Sequence, residues 1–208
     1  MTTENFFYLN ILGQIQSAHF PLGPQGSGLF CRYDVVVGND WELVSGIKAG
    51  ITQCANGGVN FEDVVFNMPI ECTFKSTNVH GCKYLEVVRC QIIEFLILGP
   101  QIIFSLYGTN RWGTEINLGY ARIHVPCNVI NERKSELQIL RAPIVTPKAT
   151  NIWASMINLI TDRSPELRDP KILANGTKTK NLFTSSYGEI LISLESIMKG
   201  AEKLAFDC

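Results

Sequence analysis

The stretch Phe74-Lys75-Ser76-Thr77-Asn78 and the later stretch Gly119-Tyr120-Ala121-Arg122-Ile123-His124-Val125-Pro126 decide the fold class of this chain. Each has the composition of a β-strand that runs into a turn, and a proline, which cannot donate to a strand ladder, stops the second. Neither stretch contains a set of residues suited to catalysis. We therefore expect both to be structural parts of a β-rich domain.

Further strands are predicted on either side of these stretches. Runs rich in β-forming residues cover 6–16, 29–37, 64–74, 101–107, 118–125, 136–140 and 188–197. Pro69 falls inside one run and predicts an edge strand or a bulge there. Residues 152–160 place apolar side chains on one face of a short helix, with Trp153 expected in the core, and 169–174 predict another helical turn. The pattern predicts a mainly β fold, an antiparallel β-sandwich with one or two short helices.

Bulk composition narrows the function classes. The 208 residues are 46% hydrophobic, which suits one domain with a sizeable core. A formal net charge of −1 gives no electrostatic basis for binding nucleic acid. The start of the chain lacks the basic residues of a secretory signal, and no apolar run is long enough to span a bilayer, so we expect a protein that is neither secreted nor transmembrane.

Motifs for catalysis and for cofactor or metal binding are missing from the sequence. The seven cysteines show no C-x-x-C spacing, and His19, His80 and His124 have no partner at metal-ligand spacing. No two aspartates form a D-x-D pair, which argues against a calcium site. There is no G-x-S-x-G, P-loop or G-x-G-x-x-G motif. We therefore predict no catalytic residue, metal, cofactor or small-molecule substrate.

Some aromatic and basic residues are candidates for a partner or lipid surface. Trp112 and Tyr107, on and beside the turn from Gly108 to Gly113, are predicted to form an exposed aromatic anchor. The basic candidates are Lys75, Arg111, Arg133, Lys134 and Arg141. Basic residues near an anionic bilayer contribute about 1 kcal/mol each, so a set this small binds weakly alone. An ordinary solvated edge remains the competing interpretation of these charges.

An ordered set of motifs extends along nearly the whole chain. Besides the two opening stretches, it comprises Gly13 to Pro21, Phe30-Cys31-Arg32-Tyr33, Gly38-Asn39-Asp40-Trp41, Asn67-Met68-Pro69-Ile70, Ser105-Leu106-Tyr107-Gly108 and Pro165 to Lys171. In this order the motifs resemble those of the B9 domain family of ciliary transition-zone proteins. The resemblance implies a C2-like β-sandwich over residues 6–197, followed by a tail over 198–208 that we expect to be helical or frayed.

The resemblance also implies a function. Members of the family are non-catalytic structural subunits of the tectonic-like, or Meckel syndrome, complex, which supports cilium assembly, Hedgehog signalling and the diffusion barrier between ciliary and plasma membranes. The implied partners are sister B9-domain proteins, tectonics and other transition-zone membrane proteins. The implied location is the cytoplasm and cytoskeleton, at the basal body and transition zone, peripheral to the membrane. The alternative is a stand-alone, calcium-independent C2-like module that binds phospholipid.

Residues 82–99 depart from the family pattern. They add about 17 residues before Pro100, more than most connections in compact domains contain. The segment is apolar, and three interpretations stay open: a translated intron, a lineage-specific insertion that adds a helix or hairpin, or a membrane contact. Glu94 and Gly99-Pro100 interrupt the run, which is therefore too short for a spanning helix.

Overall fold

The structure, a computed structural model, describes residues 6–58, 62–77, 99–126, 137–149, 151–161, 164–175 and 182–200. The strands within these ranges are β1 Phe7–His19, β2 Ser27–Val36, β3 Trp41–Gly46, β4 Ala49–Ile51, β5 Asp63–Ser76, β6 Gln101–Thr109, β7 Glu115–His124, β8 Gln138–Pro147 and β9 Thr184–Lys199. An α-helix, α1 Ile152–Thr161, and a 3₁₀ helix, Pro170–Ala174, lie between β8 and β9. The predicted fold class, mainly β with one or two short helices, is confirmed.

The strands form two sheets that share one core. All pairs are antiparallel, in the order β3-β5-β1-β9-β8-β7-β6-β2-β4. Between β7 and β8 the ladder shrinks to one pair, Tyr120 with Val145. We therefore distinguish a first sheet, β3-β5-β1-β9-β8, from a second sheet, β7-β6-β2-β4. Their inward side chains form a single hydrophobic cluster, so the two sheets make a sandwich.

The burial of the strands explains which of them the sequence predicts well. In β2 the side chains alternate, with Leu29, Cys31 and Tyr33 buried in the core and Arg32 exposed. In β6 every residue from Gln101 to Gly108 is buried, because both of its faces are covered. The strands β3 and β4 were not predicted from the sequence, since nearly all their residues are exposed and show no alternation.

Pro69 lies where the sequence predicts an edge or a bulge, and the structure shows both. The strand β5 pairs with β1 along its length, whereas β3 pairs only with residues 72–76 of β5. Pro69 is therefore in the part of β5 that has a single neighbour. Two residues earlier, Asn67 has a φ of 49°, beside the register shift opposite Ile15 and Ser17.

The strand β9 closes the first sheet. It runs antiparallel between β1 and β8, pairing through residues 184–194 with β8 and through residues 189–199 with β1. Met198 is buried within this strand, opposite Leu9 of β1. The expectation of a helical or frayed start to the tail is therefore wrong for Met198 and Lys199, which are strand residues because the first sheet offers them a pairing partner and a core.

Candidate functional site

A segment that follows α1 crosses the outer face of the second sheet. We call residues 164–175 the strap. Tyr107 Oη of β6 donates a hydrogen bond to Glu166 Oε1 at 2.9 Å, and the Leu167 amide donates to Tyr120 Oη of β7 at 2.9 Å. The strap thus gives the hydroxyl groups of both Tyr107 and Tyr120 a hydrogen-bond partner, as buried polar groups require.

Charged groups secure the second half of the strap. Arg122 Nη1 donates to the carbonyl oxygen of Leu173 at 2.7 Å, and Lys171 Nζ lies 3.1 Å from Asp34 Oδ1. The 3₁₀ helix begins beside Asp169, whose carboxylate accepts from the Lys171 amide at 3.0 Å. The outer face of the second sheet is therefore closed by the chain itself.

Tyr107 is buried on the outer face of the second sheet, under the strap. Only 5% of it is exposed, its ring stacks on Phe30 at 5.4 Å, and the Arg32 guanidinium lies 4.6 Å from its ring centroid. Burial, and then its hydrogen bond to the Glu166 carboxylate, raise the pKa of the Tyr107 hydroxyl. The prediction that Tyr107 is part of an exposed aromatic anchor is wrong, because the strap covers it.

Asn117 lies beside Tyr107 in the ladder between β6 and β7. Its side chain is buried, and neither its amide nitrogen nor its amide oxygen has a hydrogen-bond partner among the described residues. A buried amide without partners is destabilising by about 1–3 kcal/mol. Together with Gln101, whose buried Oε1 also lacks a partner among the described residues, this position is therefore a weak point of the second sheet.

One end of the sandwich exposes large apolar side chains, unlike the face under the strap. We call it the loop end: β1, β6 and β8 finish there, and β2, β7 and β9 begin there. It includes residues 20–26, 110–114, 148–149, 151–153 and 182–183. Its large apolar side chains have the highest exposed fractions in the described part of the chain: Leu22 88%, Trp112 80%, Ile152 78%, Trp153 74% and Phe183 66%. Exposure this high on several segments of one end indicates a contact surface.

Hydrogen bonds hold the loops of this end in place. Asn110 Oδ1 accepts from the amides of Trp112 and Thr114, both at 2.9 Å, and Gly113 completes the turn with a φ of 72°. Asn151 Oδ1 accepts from the Trp153 amide at 3.1 Å at the start of α1. The backbones that carry the two tryptophans are therefore fixed.

Contacts also tie the separate segments of the loop end to one another. Tyr187 Oη of β9 donates to the carbonyl oxygen of Gly23 at 2.7 Å, beside Leu22. The Lys148 amide, just after β8, donates to the carbonyl oxygen of Phe183 at 2.8 Å. The loop end is thus one connected surface.

Trp153 departs from its expected place in the core. The described side chains of α1 show Ile152, Trp153 and Met156 exposed and Asn158 half-buried. The described apolar side chains of α1 are therefore exposed, whereas the 3₁₀ helix packs on the second sheet. The helix lies where helical spacing predicts it, but the prediction that Trp153 lies in the core is wrong.

The predicted basic residues lie apart from one another. Lys75 Nζ is 3.0 Å from Glu42 Oε2 at the end of the first sheet remote from the loop end, and Arg141 Nη1 is 3.0 Å from Glu189 Oε1 on β8 and β9. Arg111 is exposed beside Trp112. Arg133, Lys134 and residues 82–98 fall outside the described residues. Of the predicted surface, the structure brings together only Trp112 and Arg111.

Sequence reasoning missed the other members of the loop end. Leu22 is an apolar residue inside a proline- and glycine-rich loop, and α1 has no charged residue. Both are unusual for segments that meet water alone, and both were visible in the sequence. Phe183 offers no such signal.

The sandwich also has an open edge, formed by β3 and β4 with the two residues that join them. In the described chain β3 pairs only with β5, and β4 pairs only with β2. Leu43, Val44, Ile47 and Ile51 are exposed along this edge. Unpaired strand groups beside apolar side chains are a template for a further strand.

Metal-binding clusters and membrane-spanning helices were sought within the described ranges. No group of three or more His, Cys, Asp or Glu side chains there is arranged to hold a metal ion. No helix in the same ranges is both long and apolar enough to cross a membrane.

Comparison with known proteins decides the family. A family model described as "B9-C2: Ciliary basal body-associated, B9 protein" matches residues 9–197. The chain belongs to this family. The predicted resemblance to B9 domain proteins is thereby confirmed, and the sandwich agrees with the C2-like fold that the description includes.

Individual members of the B9 family are similar over nearly the whole chain. B9 domain-containing protein 1 of Drosophila melanogaster is 41% identical over 206 residues, covering 98% of this chain and 78% of that protein. Its Xenopus laevis counterpart is 31% identical, covering 97% and 89%. B9 domain-containing protein 2 of Xenopus laevis is 22% identical, covering 94% and 95%. A C2 domain of plant extended synaptotagmin 1 superposes with a TM-score of 0.38 at 10% identity, covering 90% of this chain and 93% of that one.

Proposed function

We propose that this chain is a non-catalytic structural subunit of the tectonic-like, or Meckel syndrome, complex at the ciliary transition zone. In that role it supports cilium assembly, the diffusion barrier between ciliary and plasma membranes, and Hedgehog signalling. It acts in the cytoplasm at the basal body and transition zone, peripheral to the membrane, with sister B9-domain proteins, tectonics and other membrane subunits. Membership of a ciliary basal body-associated family supports this proposal.

The open edge is the observation that carries the proposal. Its apolar side chains Leu43, Val44 and Ile47 lie on or beside an edge strand that has one neighbour in the described chain. Edge strands in soluble proteins are usually guarded by charges, prolines or a covering segment. Here the nearest carboxylate, Glu42, is engaged by Lys75. An edge of this kind suits a strand from a partner, and we assign it to a sister B9 domain.

The pair Ile47 and Ile139 allows a matched test. Both are exposed isoleucines, at 65% and 63%, but Ile47 lies at the open edge and Ile139 on β8. We expect the edge variant, Ile47→Lys, to weaken association with purified B9 domain-containing protein 2 by about tenfold or more, since it removes apolar contact and adds charge. Ile139→Lys should bind normally. Association is measured by pull-down and by analytical size exclusion.

Localisation of the same variants extends the test to cells. In cells that lack the native protein, Ile139→Lys should reach the transition zone and restore cilia, whereas the edge variant should not. Equal association by the edge variant and Ile139→Lys would overturn the assignment of the open edge. Normal cilia without the native protein would overturn the structural role itself.

A further inference from the structure

A cleft of about 470 Å³ lies where the two sheets meet, beside the strap. We call it the seam cleft. Its volume falls within the range of about 300–1,000 Å³ that is usual for ligand clefts. Residues of β7, β8, the strap and the start of β9 line it, among them Arg122, Pro143, Val145, Leu173, Leu182 and Thr184. The seam cleft is therefore large enough to take a short segment of another molecule.

The register of β7 and β8 explains why the cleft opens at this place. Tyr120 and Val145 form the single pair between these strands. In that register Pro143 would face Arg122, and proline has no amide hydrogen to add a bond to the ladder. Beyond Tyr120, β7 pairs with β6 alone in the described chain. The edge of β7 at the seam cleft is thus free to pair with an extended peptide.

Arg122 supplies a positive charge to the seam cleft. Its side chain is exposed, and its Nη1 donates to the carbonyl oxygen of Leu173 at 2.7 Å. A guanidinium has five N–H donors in a planar fork that matches a carboxylate. Among the described residues Arg122 forms no ion pair. It therefore secures the strap with one bond and keeps further donors for a ligand.

Carboxylates on the elements that line the seam cleft are engaged with other groups. On β9, Glu189 Oε1 lies 3.0 Å from Arg141 Nη1, and in the strap Glu166 accepts the bond from Tyr107. The strand β8 has no acidic residue. The charge of Arg122 is therefore available to an anionic group from outside the described chain.

The walls of the seam cleft favour a peptide over a free ion. Pro143, Val145, Leu173 and Leu182 present apolar surface around Arg122. A small hydrated anion would leave these walls in water. An acidic side chain with apolar neighbours would pair with the cation and cover the walls at the same time.

We propose that the seam cleft binds an extended segment of a partner protein in which an acidic side chain is flanked by apolar ones. The guanidinium of Arg122 receives the carboxylate, the walls cover the apolar side chains, and the free edge of β7 pairs with the main chain of the segment. The seam cleft is separate from the open edge, so this proposal does not depend on membership of the complex.

A peptide array tests the proposal on the full chain. Capped peptides with a central glutamate and varied neighbours are synthesised beside the same peptides with a central glutamine. The fluorescently labelled protein is applied, and the peptides that it binds are measured again in solution by fluorescence anisotropy. We expect glutamate peptides with apolar neighbours to bind about fivefold or more tighter than their glutamine counterparts, since hydrogen bonds between charged groups are stronger than neutral ones.

Variants locate the contact. Arg122→Gln should abolish the preference for glutamate, whereas Arg111→Gln, at an exposed arginine of the loop end, should keep it. Arg122 also holds the strap, so the ratio of the two affinities is the decisive measurement, because a loosened strap alone would weaken both peptides equally. Thr184→Trp, at an exposed position of the lining, should block the cleft and weaken all peptides about tenfold or more, and Thr184→Ala should bind normally.

The outcomes separate this proposal from the proposed function. Absence of peptide binding, equal affinity for glutamate and glutamine peptides, or an unchanged preference in Arg122→Gln overturns it. Unchanged binding by Thr184→Trp would place the peptides elsewhere and overturns it as well. The edge variant Ile47→Lys should bind glutamate peptides normally, and that result supports a site distinct from the open edge. Loss of peptide binding in the edge variant would assign the peptides to the open edge and contradict the proposal.

Discussion

The strap covers the outer face of the second sheet, which we call the covered face. The covered face buries its aromatic side chains, whereas the loop end exposes them. On the covered face, Tyr107 and Tyr120 are buried and their hydroxyls bond to Glu166 and Leu167. At the loop end, the backbones of the two tryptophans are fixed by asparagine side chains while their rings stay exposed. In both places the chain satisfies polar groups. Among the described residues, only the covered face also has its aromatic rings covered by another segment of the chain.

The difference separates a face that the described chain covers itself from an end whose large apolar side chains the described chain leaves exposed. The covered face should carry folding stability, and the loop end should carry binding with little effect on stability. Substitutions at the two places therefore make a direct test of the comparison.

The largest contrast is expected between Tyr120→Ala and Trp112→Ala. Tyr120 is fully buried and accepts a bond from the strap, so its truncation should lower the free energy of unfolding by about 3–5 kcal/mol. Trp112 is 80% exposed, and its truncation should stay within about 0.5 kcal/mol. Urea unfolding followed by circular dichroism measures both. Similar losses in the two variants would remove the distinction between the regions.

A smaller effect is expected for Tyr107→Phe. The change keeps the ring and removes the hydroxyl that donates to the Glu166 carboxylate, which should cost about 1–2 kcal/mol at neutral pH. Tyr8→Phe, at an exposed tyrosine on β1, is the matched control.

The same variant should also change how stability depends on pH in the alkaline range. Burial raises the pKa of Tyr107 in the folded state, so the folded protein holds this proton more tightly than the unfolded chain, whose tyrosines titrate at about pH 10. This contribution is present below that pH and is lost as the pH rises above it. The stability of Tyr107→Phe should therefore fall less steeply in alkali than that of the wild type. An unchanged slope would contradict the burial of this hydroxyl.

Asn117→Val should change stability in the opposite direction. Its amide is buried beside Tyr107 without a partner among the described residues, and valine suits a buried strand position. Removing the amide should raise the free energy of unfolding by about 1 kcal/mol. A loss of stability in urea unfolding would show that the amide is bonded in solution, for example to a buried water.

Thiol labelling sharpens the comparison without changing stability. Cys31 and Cys72 are buried, and burial raises the pKa of both thiols, that of Cys72 to about 11. Cys54 is exposed instead, on the segment that leads from β4 towards the loop end. Iodoacetamide at neutral pH should label Cys54 within minutes and leave the other two until the protein unfolds. Peptide mass spectrometry identifies the labelled sites. Early labelling of Cys31 would mean that the core opens readily.

The sequence predicted the parts of the fold that depend on neighbouring residues. Alternation identified β2, proline chemistry identified the edge at Pro69, and helical spacing identified α1. The predictions were wrong where a segment distant in the sequence determines whether a residue is buried. Tyr107 contacts Glu166 of the strap, which follows it by 59 residues, and no pattern around Tyr107 predicts this contact. Strands β3 and β4 were missed because an exposed edge lacks alternation.

The candidate site was predicted only in part for the same reason. Trp112 and Arg111 were found from the turn that carries them, but Trp153 was placed in the core, because periodicity shows which residues share a face and not what covers it. The roles of Arg133 and Lys134, and the interpretation of residues 82–99, stay predictions.

The pairing of β1 with β9 has a consequence for synthesis. The strand β1 is synthesised long before its neighbour, because β9 leaves the ribosome about 170 residues later. Until then β1 and β8 both present free edges with apolar side chains, and the first sheet cannot close. The nascent chain should therefore rely on chaperones throughout its synthesis, and a premature stop codon before Thr184 should yield a product that is degraded rather than a smaller working domain.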